Sequence, residues 1–186
     1  MDEIINELFN VCYSRNIQKM REIIDTYKPN INATNQCGDT PLKIWSTSGY
    51  SDIANDLIEL YGADVNYVGK QGGNNAIMEA LSCGLTGTAH ILLNHGADIY
   101  VKNCNGKNSF ELSLDNNRLG SIIFLLENRY NACDDELFSA LYLCSTIPDY
   151  ERMLKIMRKI PRGQLNNIIN KVDAVSYTHL TLPTKR

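Results

Sequence analysis

The chain contains no apolar run near the roughly 18 to 20 residues that a membrane-spanning helix requires, so no ordinary spanning helix is expected and a membrane is not an expected partner. It has no excess of basic residues either. Lys and Arg number 18 against 21 Asp and Glu, a formal charge of -3 with a pI near 5.6, whereas phosphate binding draws on clustered positive charge. Nucleic acid is therefore not an expected partner. The six cysteines (Cys12, Cys37, Cys83, Cys104, Cys133, Cys144) include no C-x-x-C pair, and they read as free thiols in a reducing compartment. The start Met1-Asp2-Glu3-Ile4-Ile5 lacks the basic stretch and cleavage site of a signal peptide. A cytoplasmic location is the expectation. With 44% hydrophobic and 21% charged residues, neither disorder nor a collagen-like chain is indicated, and one extended core can be buried.

What the sequence does contain is a repeat. Gly38, Gly72 and Gly106 are spaced 34 residues apart, each followed by a residue suited to starting a helix. Gly49, Gly84 and Asn117 follow eleven or twelve residues later, where a helix must end and the chain reverse. Eight residues further on stand Leu57-Ile58, Leu92-Leu93 and Leu125-Leu126, spaced for the inner face of a second helix. Two units close on Gly62-Ala63-Asp64-Val65-Asn66 and Gly96-Ala97-Asp98-Ile99-Tyr100. Thr40 can cap the first helix of its unit, with Pro41 in the first turn where its missing N–H costs nothing. Asn75, and Asn108 or Ser109, can cap the others, while Gly62 and Gly96 suit the left-handed conformation that ends a helix.

Gly38-Asp39-Thr40-Pro41-Leu42-Lys43 through Gly62-Ala63-Asp64-Val65-Asn66 resembles a complete ankyrin repeat, and His95-Gly96-Ala97-Asp98-Ile99 closes a second. The resemblance implies an all-α ankyrin-repeat solenoid of about five stacked helix-turn-helix units with short projecting β-turn fingers. Residues 1–34 read as a divergent first repeat, which keeps Ile23-Ile24 but has Arg15 in place of a turn glycine. Residues 35–68 and 69–102 are full repeats, and 103–133 a weaker one. Residues 134–173 form a degenerate terminal unit, truncated at its end, of two amphipathic helices, Asp135–Cys144 and Asp149–Ile160, split by Ile147-Pro148.

Residues 174–186 resemble an in-frame translation of a sequencing adapter and read as a non-native tail, with a natural Thr-rich tail as the alternative. Without Lys185 and Arg186 the remainder has 16 basic and 21 acidic residues, a formal charge of -5. The natural chain is then expected to run past Asp173.

No residue set reads as catalytic, metal-binding or cofactor-binding. His90 and His95 are five residues apart, a step that does not align two ligands on one helical face. Cys83 and Cys104 have no His or helix N-terminus nearby to lower the thiol pKa. Asp2-Glu3 and Asp134-Asp135 stand where helices begin and where the helix dipole favours negative charge. Gly69-Lys70-Gln71-Gly72-Gly73 misses the P-loop spacing and reads as a finger. Arg152, Lys155, Arg158, Lys159 and Arg162 are the densest basic set, read first as a solvated helix face and alternatively as a site for an anionic partner.

The resemblance further implies a concave binding side made by first helices and fingers. Carried onto this sequence, its partner-binding positions are Gln36 and Asp39, then Tyr67, Val68, Lys70 and Gln71, then Lys102, Asn105 and Lys107. The first-helix ends add Thr47 and Ser48, Ser82, and Asp115 and Asn116. Of the aromatic residues Trp45, Tyr67 and Tyr100, Trp45 reads as core and Tyr67 as the contact residue. The expected function is a monomeric, non-enzymatic protein-protein interaction module for an unidentified protein partner. The alternative is a regulatory or targeting segment of a larger enzyme or effector.

Overall fold

The computed structural model describes residues 2–68, 73–128, 130–146 and 150–174. Local hydrogen bonding sets the start of each repeat. Thr40 Oγ1 accepts from the Lys43 amide at 3.2 Å, and Asn75 Oδ1 from the Met78 amide at 3.0 Å. Asn108, not Ser109, caps the next unit: its Oδ1 accepts from Phe110 and Glu111 amides while Glu111 Oε2 accepts from the Asn108 amide at 2.8 Å. Each such cap satisfies amides that a helix end leaves free and is worth about 1 kcal/mol.

Eleven helices follow among the described residues: α1 (Asp2–Tyr13), α2 (Ile17–Tyr27), α3 (Pro41–Ser46), α4 (Ser51–Glu59), α5 (Ala76–Ser82), α6 (Thr86–Asn94), α7 (Ser109–Asp115), α8 (Leu119–Glu127), α9 (Asp134–Thr146), α10 (Tyr150–Lys159) and α11 (Arg162–Ala174). Successive pairs form five hairpins. Within the first four, the reversing residue has positive φ: Arg15 at 56°, Gly49 at 76°, Gly84 at 81° and Asn117 at 56°. A side chain with a Cβ is strained there, so Arg15 and Asn117 hold by context what glycine adopts freely.

Hairpins stack in register. The odd-numbered helices touch in sequence from α1 to α11 and make an inner row, while α4, α6, α8 and α10 make an outer row. The α2 helix joins the outer row through the Arg21–Asp56 ion pair. One core runs between the rows, with Leu8, Met20, Trp45, Leu57, Ile77, Leu81, Leu92, Phe110 and Ile122 fully buried. Each such side chain contributes about 1.5–3 kcal/mol through removal from water. The fold is an all-α repeat solenoid. No helix among the described residues is long and apolar enough to cross a membrane.

Two details depart from the sequence pattern. The caps Thr40, Asn75 and Asn108 are 35 and 33 residues apart, so Gly73, rather than Gly72, stands two residues before its cap as Gly38 and Gly106 do. Gly72 lies outside the described residues, as do Ile147, Pro148 and Asp149 of the last hairpin and all of the tail after Ala174. Beyond the expected last hairpin, α11 packs on α9 and lengthens the inner row.

Candidate partner-binding surface

The finger loops are shaped by asparagines. Asn35 Oδ1 accepts from the amides of Cys37 and Asp39, both at 2.9 Å, and Asn103 Oδ1 from those of Asn105 and Lys107, both at 3.0 Å. A short polar side chain that bonds amides two and four residues ahead replaces hydrogen bonds the loop backbone lacks. The amide groups of these asparagines then tie neighbouring units together. Asn35 Nδ2 donates to Tyr13 Oη at 2.6 Å, and Asn103 Nδ2 to Asn74 Oδ1 at 2.7 Å. Asn74 Nδ2 in turn donates to Glu79 Oε1 at 3.1 Å. Lys43 completes the track, 2.7 Å from Asp39 and 3.6 Å from Glu79.

Two hollows open on the inner row. The first, about 210 Å³, lies between α1 and α3 and is lined by Tyr13, Arg15, Asp39, Lys43, Thr47 and Glu79 among others. The Tyr13 hydroxyl is held above its usual pKa by partial burial and by the negative charge of Asp39, against the pull of the Asn35 hydrogen bond. Cys12 in the same wall is pushed up to about 11 by burial, partly offset by the Trp45 indole beside it. That thiol is the opposite of an activated nucleophile. The second hollow, about 410 Å³, lies between α7 and α9 and is lined by Leu114, Tyr142 and Leu143 together with Lys107, Glu111 and Asp115 among others.

The sequence-predicted residues divide among these features. Asp39, Thr47 and Ser48 line the first hollow, and Lys107 and Asp115 the second, where they form an ion pair. Gln36, Lys102 and Asn105 are exposed on the fingers, whereas Tyr67 and Val68 are half-buried beside theirs. Thr47 and Ser48 hydroxyls both donate to the Ile44 carbonyl, Ser82 Oγ to the Glu79 carbonyl, and Asn116 Nδ2 to the Leu112 carbonyl. Those side chains also close helix ends. Lys70 and Gln71 lie outside the described residues.

Residues absent from the prediction include Lys43 and Glu79, and Leu114, Tyr142 and Leu143 of the second hollow. Lys43 was legible as the partner of Asp39 four residues earlier; Tyr142 and Leu143 stand in a unit without the repeat signature and carried no signal. Of the aromatic candidates, Trp45 is fully buried. Tyr100 stacks on Tyr130 with centroids 5.1 Å apart, and its hydroxyl accepts from the Asn131 amide. His95 Nε2 lies 2.9 Å from Asn55 Oδ1, joining α6 to α4, and the His90 ring tilts against Phe124. Among the described residues no group of three or more His, Cys, Asp and Glu is placed to hold a metal ion.

Comparison with known proteins agrees with this architecture. The family model for ankyrin repeats (3 copies) matches residues 8–103. Ankyrin repeat and SAM domain-containing protein 6 of Rattus norvegicus is 31% identical over 106 residues, 57% of this chain, and its Mus musculus counterpart 30% identical over 106 residues. The matched stretch spans 12% of the length of each relative. Ankyrin repeats generally serve in protein–protein interaction, and the family is generally non-enzymatic. With capped hairpins, fingers and a family match over just over half its length, the chain belongs to the ankyrin-repeat family.

Proposed function

We propose that this protein is a non-enzymatic binding module that holds a protein partner on its finger and inner-helix surface. The observation that carries the reading is the pair of hollows on the inner row, in a stack whose fingers and first-helix ends also present exposed Gln36, Lys102, Asn105 and Asn116. The second hollow mixes apolar Leu114, Tyr142 and Leu143 with charged Lys107, Glu111 and Asp115, as protein contacts do, and Tyr142, 45% exposed, supplies contact area at low entropic cost. The module acts as a monomer in a reducing, cytoplasmic setting, a reading that its six free thiols support.

The test is affinity purification with the intact chain beside two variants, one carrying Tyr142→Ala, Leu114→Ala and Lys102→Ala, the other carrying Glu59→Ala and Glu127→Ala on the outer row. Loss of a purified, identified partner with the first variant and retention with the second is expected. Equal recovery by both would refute the inner-surface assignment. A second reading, a targeting or regulatory segment of a longer protein, is favoured by the 12% share of the relatives that the match spans; a catalytic motif in the parent gene would support it.

A further inference from the structure

Cations without an ion pair stand singly in the first four units, at Arg15, Lys28, Lys102 and Arg118, but cluster in the last hairpin, judged among the described residues. In the first four units Lys19 faces Glu7 at 2.8 Å, Lys43 faces Asp39 at 2.7 Å, Arg21 pairs with Asp56 and Lys107 with Asp115. Lys155, Arg158, Lys159 and Arg162 are exposed and have no ion-pair partner among the described residues. Steps of three and four residues put the first three on one stripe of α10, and Arg162 opens α11 three residues after Lys159. The opposite side of α10 is occupied. Ile156 and Ile160 are buried and Met153 and Met157 half-buried where the helix packs on α8 and α9. Leu154, 48% exposed, stands one turn before Arg158 at the edge of the stripe.

The surrounding charge sharpens this contrast. Residues 150–174 hold six Lys and Arg against two Asp and Glu, a formal charge of +4, while residues 1–149 hold ten against nineteen, a formal charge of -9. An anionic ligand is thus drawn to α10 and repelled by the rest of the stack.

We infer that the outer face of α10 is a second docking surface, for a short acidic protein segment that lays carboxylates along Lys155, Arg158, Lys159 and Arg162 and an apolar side chain on Leu154. The neighbouring features select that occupant. A bilayer is disfavoured because the apolar side of α10 is already buried, leaving Leu154 alone to insert. A nucleic acid is disfavoured because its phosphates run past the stripe, which spans roughly 6 Å of α10, onto the acidic units. A short extended segment covers the stripe and ends there. This inference is independent of the inner-surface reading.

The test is fluorescence anisotropy with a labelled peptide of alternating glutamate and leucine, titrated with the full chain and with a variant carrying Lys155→Glu, Arg158→Glu and Lys159→Glu. The wild type is expected to bind, the variant to lose about tenfold or more in affinity, and wild-type affinity to fall as salt rises from about 50 to 200 mM. Circular dichroism checks the fold of the variant; Lys155→Gln with Lys159→Gln, a milder change, is expected to lose affinity in the same direction. No binding by the wild type, or equal binding by wild type and the folded variants, overturns the proposal. Preference for phosphatidylserine vesicles or a single-stranded oligonucleotide over the peptide overturns it as well.

Discussion

Where the second unit meets the third, an asparagine makes the joint: Asn66 Oδ1 accepts from the Asp98 amide at 2.8 Å and its Nδ2 donates to the Gly96 carbonyl at 2.9 Å. Asn32 does the same one unit earlier, accepting from the Asp64 amide at 2.8 Å. Where the fourth unit meets the fifth, beyond the family match, a carboxylate and three rings do this work. Glu136 accepts from the Tyr130 hydroxyl at 2.9 Å, the Cys133 amide at 2.8 Å and Asn108 Nδ2 at 3.2 Å. Tyr130 lies between Phe110 and Tyr100, at centroid distances of 5.2 and 5.1 Å. The hairpin stack therefore ties its units together by hydrogen bonds at these joints and accepts different chemistry for doing so, exposed at the asparagines and part-buried at Glu136.

Breaking the aromatic joint is expected to have the largest effect. Phe110 is fully buried, so Phe110→Ala should lower stability by about 3–5 kcal/mol through lost burial and a cavity, read as a shift in urea midpoint. Glu136→Ala comes next, at about 1–3 kcal/mol, because three donors lose their acceptor. The same joint has a pH signature. Burial first and Glu136 second hold the Tyr130 hydroxyl well above its ordinary value of 10.0. A raised folded-state pKa stabilises below the unfolded value and is lost as pH rises, so stability should fall above about pH 10, and Tyr130→Phe should flatten that fall in melts taken across the range.

Breaking the asparagine joint should cost less. Asn66→Ala removes two exposed hydrogen bonds and is expected to lower stability by about 0.5–1.5 kcal/mol, and a loss equal to that of Glu136→Ala would erase the distinction between the joints. Arg15→Gly should act in the opposite direction. Relief of the left-handed strain exceeds the added chain entropy by about 0.5–1 kcal/mol, seen as a higher Tm. The last expectation concerns reactivity alone: in the native protein a thiol reagent should modify exposed Cys37, Cys83, Cys104 and Cys133 quickly, and buried Cys12 and Cys144 only on unfolding.

Much of the fold was legible because helix caps, reversals and apolar spacing are local. Thr40, Asn75 and Asn108 announce helix starts by what a short polar side chain can reach, and Gly49 and Gly84 announce reversals by the φ they permit. The one-residue shift between Gly72 and Gly73 was not legible, since two adjacent glycines look alike until the cap at Asn75 is known. Asn35 and Asn103 were within reach, being two periods of 34 residues apart. Their role depends on loop amides that only a closed finger aligns.

By itself the sequence determined a stack of hairpins, because period, capping and burial are written residue by residue. Tertiary structure decided the rest: that Lys43 also meets Glu79, that Leu114, Tyr142 and Leu143 share one hollow, and that Lys155, Arg158 and Lys159 are left without carboxylates among the described residues. Those relations join residues about 30 to 40 positions apart. They follow from how one unit sits on the next, which no local propensity specifies.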